Sequence, residues 1–186
     1  MVIHDTAEVS KEAKIGENSK IWHYCQVREG VELGENCILG KGVYIDFGVK
    51  IGRNCKIQNR SSIYHGTTIE EGVFIGPHVV VTNDKNPRAI NLDGSLKSDD
   101  DWEERGVLIK KGASIGAGTV ILPGVTVGRF SMIGAGAVVT KDIPDFGIAY
   151  GNPARVEGYS CYCGTKLEKK DEGYFCNKCN KGIDIK

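Results

Sequence analysis

An aliphatic residue returns at every sixth position from the start of the chain: Ile3, Val9, Ile15, Ile21, Val27, Leu33, Leu39, Ile45, Ile51, Ile57, Ile63, Ile69, Ile75 and Val81. Two positions earlier stand small or modest residues, among them Ala7, Ala13, Ser19, Cys25, Val31, Cys37, Val43 and Cys55. Strand side chains alternate, so both positions share one inward face. Three positions after most aliphatics comes Gly or Asn, as at Asn18, Gly30, Asn36, Gly42, Gly48, Asn54, Gly66 and Gly72. These residues tolerate left-handed backbone angles, so each hexad reads as a short strand and a tight corner. The 25 glycines, set against only 5 prolines, serve this repeat rather than a disordered chain. Cys25, Cys37 and Cys55 at inward positions are expected to be buried small side chains and not ligands.

The rhythm stops after Val81 and resumes in a new register at Ile109, Ile115, Ile121, Val127, Ile133 and Val139, with Gly112, Gly118, Gly124 and Gly136 at corners. This pattern resembles the hexapeptide-repeat family over residues 1–145. The resemblance implies an all-β fold, a left-handed parallel β-helix with three hexads per turn and a triangular cross-section. Twenty hexads then make six to seven coils. The expected division is a β-helix over residues 1–158, with a loop inserted at about 82–106, and a separate module over 159–186.

Side chains three hexads apart should stack on one corner. Glu29, Phe47, His65 and Asn83 form one column, and Arg28, Asp46, Tyr64 and Thr82 its neighbour. The excursion leaves from this corner. If it is inserted at a single hexad boundary, Pro123 and Lys141 continue the column above Asn83. An unstructured loop of this length inside a compact domain usually carries function.

The ending "VVTKDIP…GNPAR" resembles that of hexapeptide-repeat acyltransferases that use coenzyme A. In that family upper-coil backbone amides hold the pantetheine arm and a terminal Lys or Arg meets the phosphates; the matching positions are Lys141 and Arg155. Amides around Gly116 and Gly118 are the candidate oxyanion or pantetheine donors. The segment from "SIYHGTTIEEGVFIGPHVVVTNDKNPRA" through "DGSLKSDDDWEERGVLI" is most similar to N-acetyltransferases acting on nucleotide-linked 3-amino sugars. This resemblance implies acetyl-CoA as co-substrate, a nucleotide-linked amino sugar as acceptor, a role in surface polysaccharide precursor synthesis, and a homotrimer with active sites between prisms.

Acetyl transfer to an amine needs a neutral nitrogen, a positioned thioester and donors for the developing oxyanion. Asn83 can orient the amine, although a carboxamide is no general base. His65, one coil below, is the candidate base, with substrate contact or a solvated corner as alternatives. Arg28 and Arg88 suit a diphosphate or sugar carboxylate, Arg28 having Asp46 as an alternative partner. Asp99, Asp100, Asp101, Glu103 and Glu104 read as a solvated loop face or a subunit contact. His4, His23 and His78 fall on other columns and are expected at the surface or an interface, and His23, His65 and His78 lack the spacing of the three-histidine zinc site of γ-type carbonic anhydrases.

From Tyr159 the hexads end, and "CYCGTKLEKKDEGYFCNKC" supplies Cys161, Cys163, Cys176 and Cys179. Four thiolates in two close pairs suit a structural Zn2+ in a zinc-ribbon-like module, two disulfides being the alternative. The first pair is separated by one residue where two are commoner. Lys plus Arg and Asp plus Glu both number 24, which gives no basic excess for nucleic acid or an anionic membrane. No secretory leader or membrane-length apolar run is visible, so a cytoplasmic location is expected. Two alternatives stay open: another small amine or hydroxyl acceptor, and a non-enzymatic scaffold whose ribbon binds a partner.

Overall fold

The structure, a computed structural model, describes residues 1–98, 101–170 and 173–185. Each hexad becomes a two-residue strand and a corner, from β1 (Val2–Ile3) to β20 (Val138–Val139). Every third strand joins the same sheet, and the three prism sheets hold nine, seven and six strands. Parallel partners lie three hexads apart, as in Ile3 with Ile21, Val9 with Val27 and Ile15 with Leu33. Corners take left-handed angles where the sequence places Asn or Gly, as at Asn18 with φ 59° and Gly30 with φ 68°. The result is the expected parallel β-helix.

Across the interruption the offset between partners grows, with β14 (Val80–Val81) pairing β17 (Val120–Ile121) in register. An uninterrupted coil would set Val81 beside residue 99; it lies beside Ile121 instead. That displacement equals the insertion counted from the hexads, and it places Pro123 and Lys141 on the corner of Asn83. The excursion returns to where it left. Asp84 bridges Glu104, the Arg105 N–H donates to the Asn83 carbonyl at 3.0 Å, and Gly124 N–H donates to Arg105 O at 3.2 Å. The helix also runs slightly beyond the six to seven coils counted, because Ile143 bridges Val127 and β21 (Gly147–Gly151) pairs with β19 (Met132–Ile133).

The aliphatics fill the interior; Ile21, Ile45, Ile57, Ile63, Ile75 and Ile109 are fully buried. Beside them runs a ladder of side-chain donors, each reaching a carbonyl in the coil above. Ser19 donates to Gly34 O at 2.9 Å, Ser61 to Gly76 O at 2.8 Å and Thr119 to Gly134 O at 3.2 Å. The three inward cysteines occupy the same slot: Cys25 donates to Gly40 O at 2.9 Å, Cys37 to Gly52 O at 3.1 Å and Cys55 to Glu70 O at 3.1 Å. They are buried as expected, and burial pushes the Cys25 thiol up. By this rule Thr67 would donate to residue 82, where the chain turns out of the prism. Its hydroxyl is the one buried side-chain polar atom without a partner among the described residues. An unmade buried hydrogen bond costs about 1–3 kcal/mol, a local cost of the loop's departure.

Beyond the prism, β22 (Ala154–Tyr159) folds back antiparallel on β21. A separate three-stranded sheet follows, β23 (Glu168–Lys170), β24 (Gly173–Cys176) and β25 (Lys181–Ile183). It has its own small core around Cys161, Leu167 and Cys176. The described residues contain no helix long and apolar enough to cross a membrane.

Candidate active site

The edge between the second and third sheets carries the column predicted from the three-hexad coil. Its anchor is Asp46, a carboxylate only 6% exposed. One oxygen accepts from Tyr44 Oη at 2.8 Å, Arg28 Nη1 at 3.0 Å and the Phe47 N–H at 2.9 Å; the other accepts from the His65 N–H at 3.2 Å. Burial and this carboxylate push the Tyr44 phenol above its ordinary range. Asp46 therefore sets the backbone of two consecutive corners. Arg28 follows the alternative partner: its guanidinium is held by Asp46 and Glu29 and lies over the Phe47 ring at 5.1 Å, so it does not face the loop cavity. Two carboxylates at this corner thus hold the guanidinium apart from Arg88.

The His65 ring stacks on Phe47 at 3.7 Å between centroids. Its Nδ1 lies 2.7 Å from Phe47 O. A carbonyl only accepts, so Nδ1 donates to it and Nε2 is the nitrogen that can exchange a proton. That Nε2 is 3.1 Å from Glu104 Oε2, with the two side chains 25% and 34% exposed. Glu104, expected on a solvated face or subunit contact, instead pairs with the candidate base. The reason is the antiparallel return of the excursion, which lays residue 104 beside Asp84 over the corner of His65. Of the other loop acids, Asp101 accepts from the Ser98 N–H at 2.8 Å and is thereby held below the usual carboxylate range. Glu103 pairs with Arg105 at 2.8 Å. Asp99 and Asp100 lie outside the described residues.

Beneath the excursion opens a cavity of about 330 Å³. Asp46, Tyr64 and Asn83 form its floor on the prism; Arg88, Lys97 and Trp102 come from the loop. Arg88 is exposed and makes one hydrogen bond, to Pro87 O at 3.1 Å. Asn83 and Arg88 thus meet at one cavity, whereas His65 is turned to Glu104 and does not line it. Lys97 and Trp102 are not singled out by the sequence, because the excursion has no period to place them.

Gly116 and Gly118 lie on a different edge, between the first and second sheets. Their N–H groups already donate within the prism, Gly116 to Ile133 O at 2.8 Å and Gly118 to Pro77 O at 2.9 Å. These two N–H groups are therefore already paired within the prism. The corner alanines above and beside them, Ala117 and Ala135, have amides with no backbone acceptor among the described residues. A side chain at residue 116 would meet Ala135 N at 2.4 Å, so glycine there permits close coil stacking. Lys141 is exposed on the loop edge and Arg155 is exposed on β22, on separate faces and without carboxylate partners among the described residues. Of the remaining histidines, His4 and His23 stack on each other at 3.5 Å.

In the tail, Cys161, Cys163, Cys176 and Cys179 are free thiols whose sulfurs all lie within 4.8 Å of one another. Cys161 and Cys179 are 3.8 Å apart and Cys163 and Cys176 3.7 Å apart. A tetrahedral zinc with Zn–S bonds of about 2.3 Å holds its sulfurs about 3.8 Å apart, so the donor set and its spacing fit that ion.

The family profile described as "Bacterial transferase hexapeptide (six repeats)" matches residues 12–46, 48–83 and 106–141. A dTDP-3-amino-3,6-dideoxy-alpha-D-galactopyranose 3-N-acetyltransferase from Aneurinibacillus thermoaerophilus is 54% identical over 74 residues, 40% of this chain and 38% of that protein. A galactoside acetyltransferase solved with coenzyme A is 29% identical with a TM-score of 0.60, covering 83% of this chain and 72% of that one. A GDP-perosamine N-acetyltransferase from Caulobacter crescentus, solved with CoA and GDP-perosamine, is 25% identical with a TM-score of 0.54, over 85% of this chain and 57% of that one. The chain spans less than two thirds of the length of the first curated relatives it matches, 38% and 61%. With three profile matches on the hexads themselves, and a parallel β-helix built from them, the chain belongs to the hexapeptide-repeat transferase family.

Proposed function

We propose that the chain transfers the acetyl group of acetyl-CoA to the amino group of a nucleotide-linked amino sugar, a 3-amino sugar in the favoured case, for surface polysaccharide precursors in the cytoplasm. One observation carries the reading: the loop edge gathers a histidine–carboxylate pair, the Asn83 carboxamide and a cavity bearing Arg88 and Lys97. The relative that acts on a dTDP-3-amino sugar supports the acceptor class, and the CoA-bound neighbours support the donor.

In this reading Arg88 and Lys97 meet the diphosphate by charge-assisted hydrogen bonds, and Asn83 orients the amine. The amine nitrogen forms a bond to the thioester carbonyl carbon. The proton it sheds passes by way of a water to the His65–Glu104 pair, which lies at the same corner outside the cavity lining, and the pair returns a proton to the thiolate as the C–S bond breaks. Lys141 and Arg155 reach CoA phosphates, and corner amides such as those of Ala117 and Ala135 serve the pantetheine arm in place of Gly116 and Gly118. A homotrimer brings the separate edges of adjacent prisms together, and the exposed Leu92 and Leu96 of the excursion suit such a contact. The tail's four thiolates hold one structural Zn2+.

A hydroxyl acceptor is the second reading, favoured by the better superposition on the galactoside enzyme. Thiol release from acetyl-CoA, measured against UDP- and dTDP-linked 3- and 4-amino sugars and against simple sugars, separates the two. Turnover confined to simple sugars or hydroxyl acceptors would sink the amino-sugar reading, and none with any acceptor would favour a scaffold.

A further inference from the structure

Two features of the upper coils are unexplained by the transfer reaction. The first is a pair of phenylalanines at left-handed corners, most of which take Gly or Asn: Phe130 has φ 52° and Phe146 has φ 62°. A left-handed angle costs a residue with a Cβ roughly 1–2 kcal/mol, and bulky residues are rarely found there. Both lie on the edge between the third and first sheets, stacked at 5.7 Å and 14°. Gly112 below makes room, since a Cβ on it would sit 2.4 Å from the Phe130 ring. The second is the one-residue spacing of the first cysteine pair.

Tyr162 joins the two. It is the single residue between Cys161 and Cys163, and its ring meets Phe130 edge-on at 4.7 Å and Phe146 at 4.9 Å. The preceding residue but one, Ser160, is fully buried, with Oγ 2.7 Å from Phe130 O and 3.1 Å from Phe146 O. Its N–H donates to Phe146 O at 2.7 Å. The tail is therefore fastened to the two left-handed corners through backbone and ring alike. A solenoid needs a closed end, because its last coil has no neighbour to cover it. Ile143, Ala149 and Ala154 complete the core of the last coil, and the tail adds its contacts at the edge of that coil.

We propose that the four-thiolate centre and Tyr162 form a metal-locked clasp on the last two left-handed corners at the C-terminal end of the prism. The clasp rests on the reading that Cys161, Cys163, Cys176 and Cys179 bind Zn2+. With ligands on both sides, the Tyr162 backbone is held at two points that flank it, and its ring is presented rigidly to Phe130 and Phe146. Without metal, a small core around Leu167 and two cysteines has too little apolar area to order the segment. The one-residue spacing is then the device that ties metal binding to the prism.

The test uses the full chain, zinc-replete and chelator-stripped, with bound zinc quantified and amide hydrogen exchange followed along the chain. One equivalent of zinc is expected. Stripping should speed exchange of the upper-corner amides of Gly128, Phe130 and Phe146, all hydrogen-bonded in the structure, by about tenfold or more. Those of Gly34, Gly40 and Gly52 in the lower coils should not change. Tyr162→Ala should keep one zinc yet show the fast exchange, and Tyr162→Phe should behave as wild type. One equivalent of zinc with unchanged exchange on stripping and in Tyr162→Ala overturns the clasp alone. Less than one equivalent overturns the zinc reading and the clasp with it.

Discussion

Replacing Glu104 by glutamine keeps the size of the side chain and removes only its charge and its capacity to take a proton. In the wild type its Oε2 lies 3.1 Å from His65 Nε2. At that separation two unit charges attract by about 5 kcal/mol at an effective dielectric of 20. The side chains are 25% and 34% exposed, so water screens the pair and the gross figure is an upper limit. A hydrogen bond to a charged group contributes about 1.5–3 kcal/mol, and about 2 kcal/mol is the reasonable share here. In the proposed reaction the proton from the acceptor amine arrives at this pair in the transition state, so the loss falls on the barrier. It predicts a drop in kcat of about 30-fold. The amide can still donate to Nε2, which preserves ring geometry and blocks the lone pair. Steady-state kinetics should show the acetyl-CoA KM nearly unchanged. Glu103→Gln is the control: its ion pair with Arg105 is exposed, and such pairs contribute about 0–1 kcal/mol. A kcat for Glu104→Gln within about threefold of wild type would leave too small a change in barrier, and would refute the assignment of proton uptake to this pair.

Asn83→Ala should lower kcat/KM for the amino-sugar acceptor by about tenfold through loss of one positioning hydrogen bond, read from initial rates at low acceptor; a wild-type value removes its role. Gly116→Ala puts a Cβ 2.4 Å from Ala135 N and 2.7 Å from Gly134 C, against backbone that cannot rotate away. Overpacking of this kind costs about 1–3 kcal/mol, and a lowered thermal midpoint checks it. Thr67→Val should leave stability unchanged or raised, because the buried hydroxyl has no partner to lose. Thr119→Val removes a made bond and should cost about 1 kcal/mol in denaturant titrations.

The prism and its registers are legible because they repeat. Inward aliphatics and left-handed corners recur at fixed spacing, and counting hexads on either side of the interruption is enough to place Pro123 and Lys141 on the loop edge, in the register the strands adopt. What repetition does not encode is harder to place. Lys97 and Trp102 come from the unrepeated excursion, so their spacing gives no direction. Glu104 is within reach: an inserted segment must end at the corner it left, which puts its last residues over His65. Gly116 and Gly118 draw attention as small corners, but the parallel ladder uses their amides. Arg28 meets the carboxylate one coil above, as its place in the column allows. The four cysteines are legible as a set, while the part of Tyr162 between them depends on two phenylalanines far away in sequence.

The central claim is that the cavity under the excursion, and not the coil edges, takes the nucleotide-linked acceptor. The two Michaelis constants of Arg88→Ala test it most directly, because Arg88 is an exposed wall of that cavity with one hydrogen bond to its own segment. Loss of a charge-assisted contact to phosphate should raise the acceptor KM by about tenfold or more while the acetyl-CoA KM stays within about twofold. An unchanged acceptor KM, or an equal rise in both constants, would contradict the account.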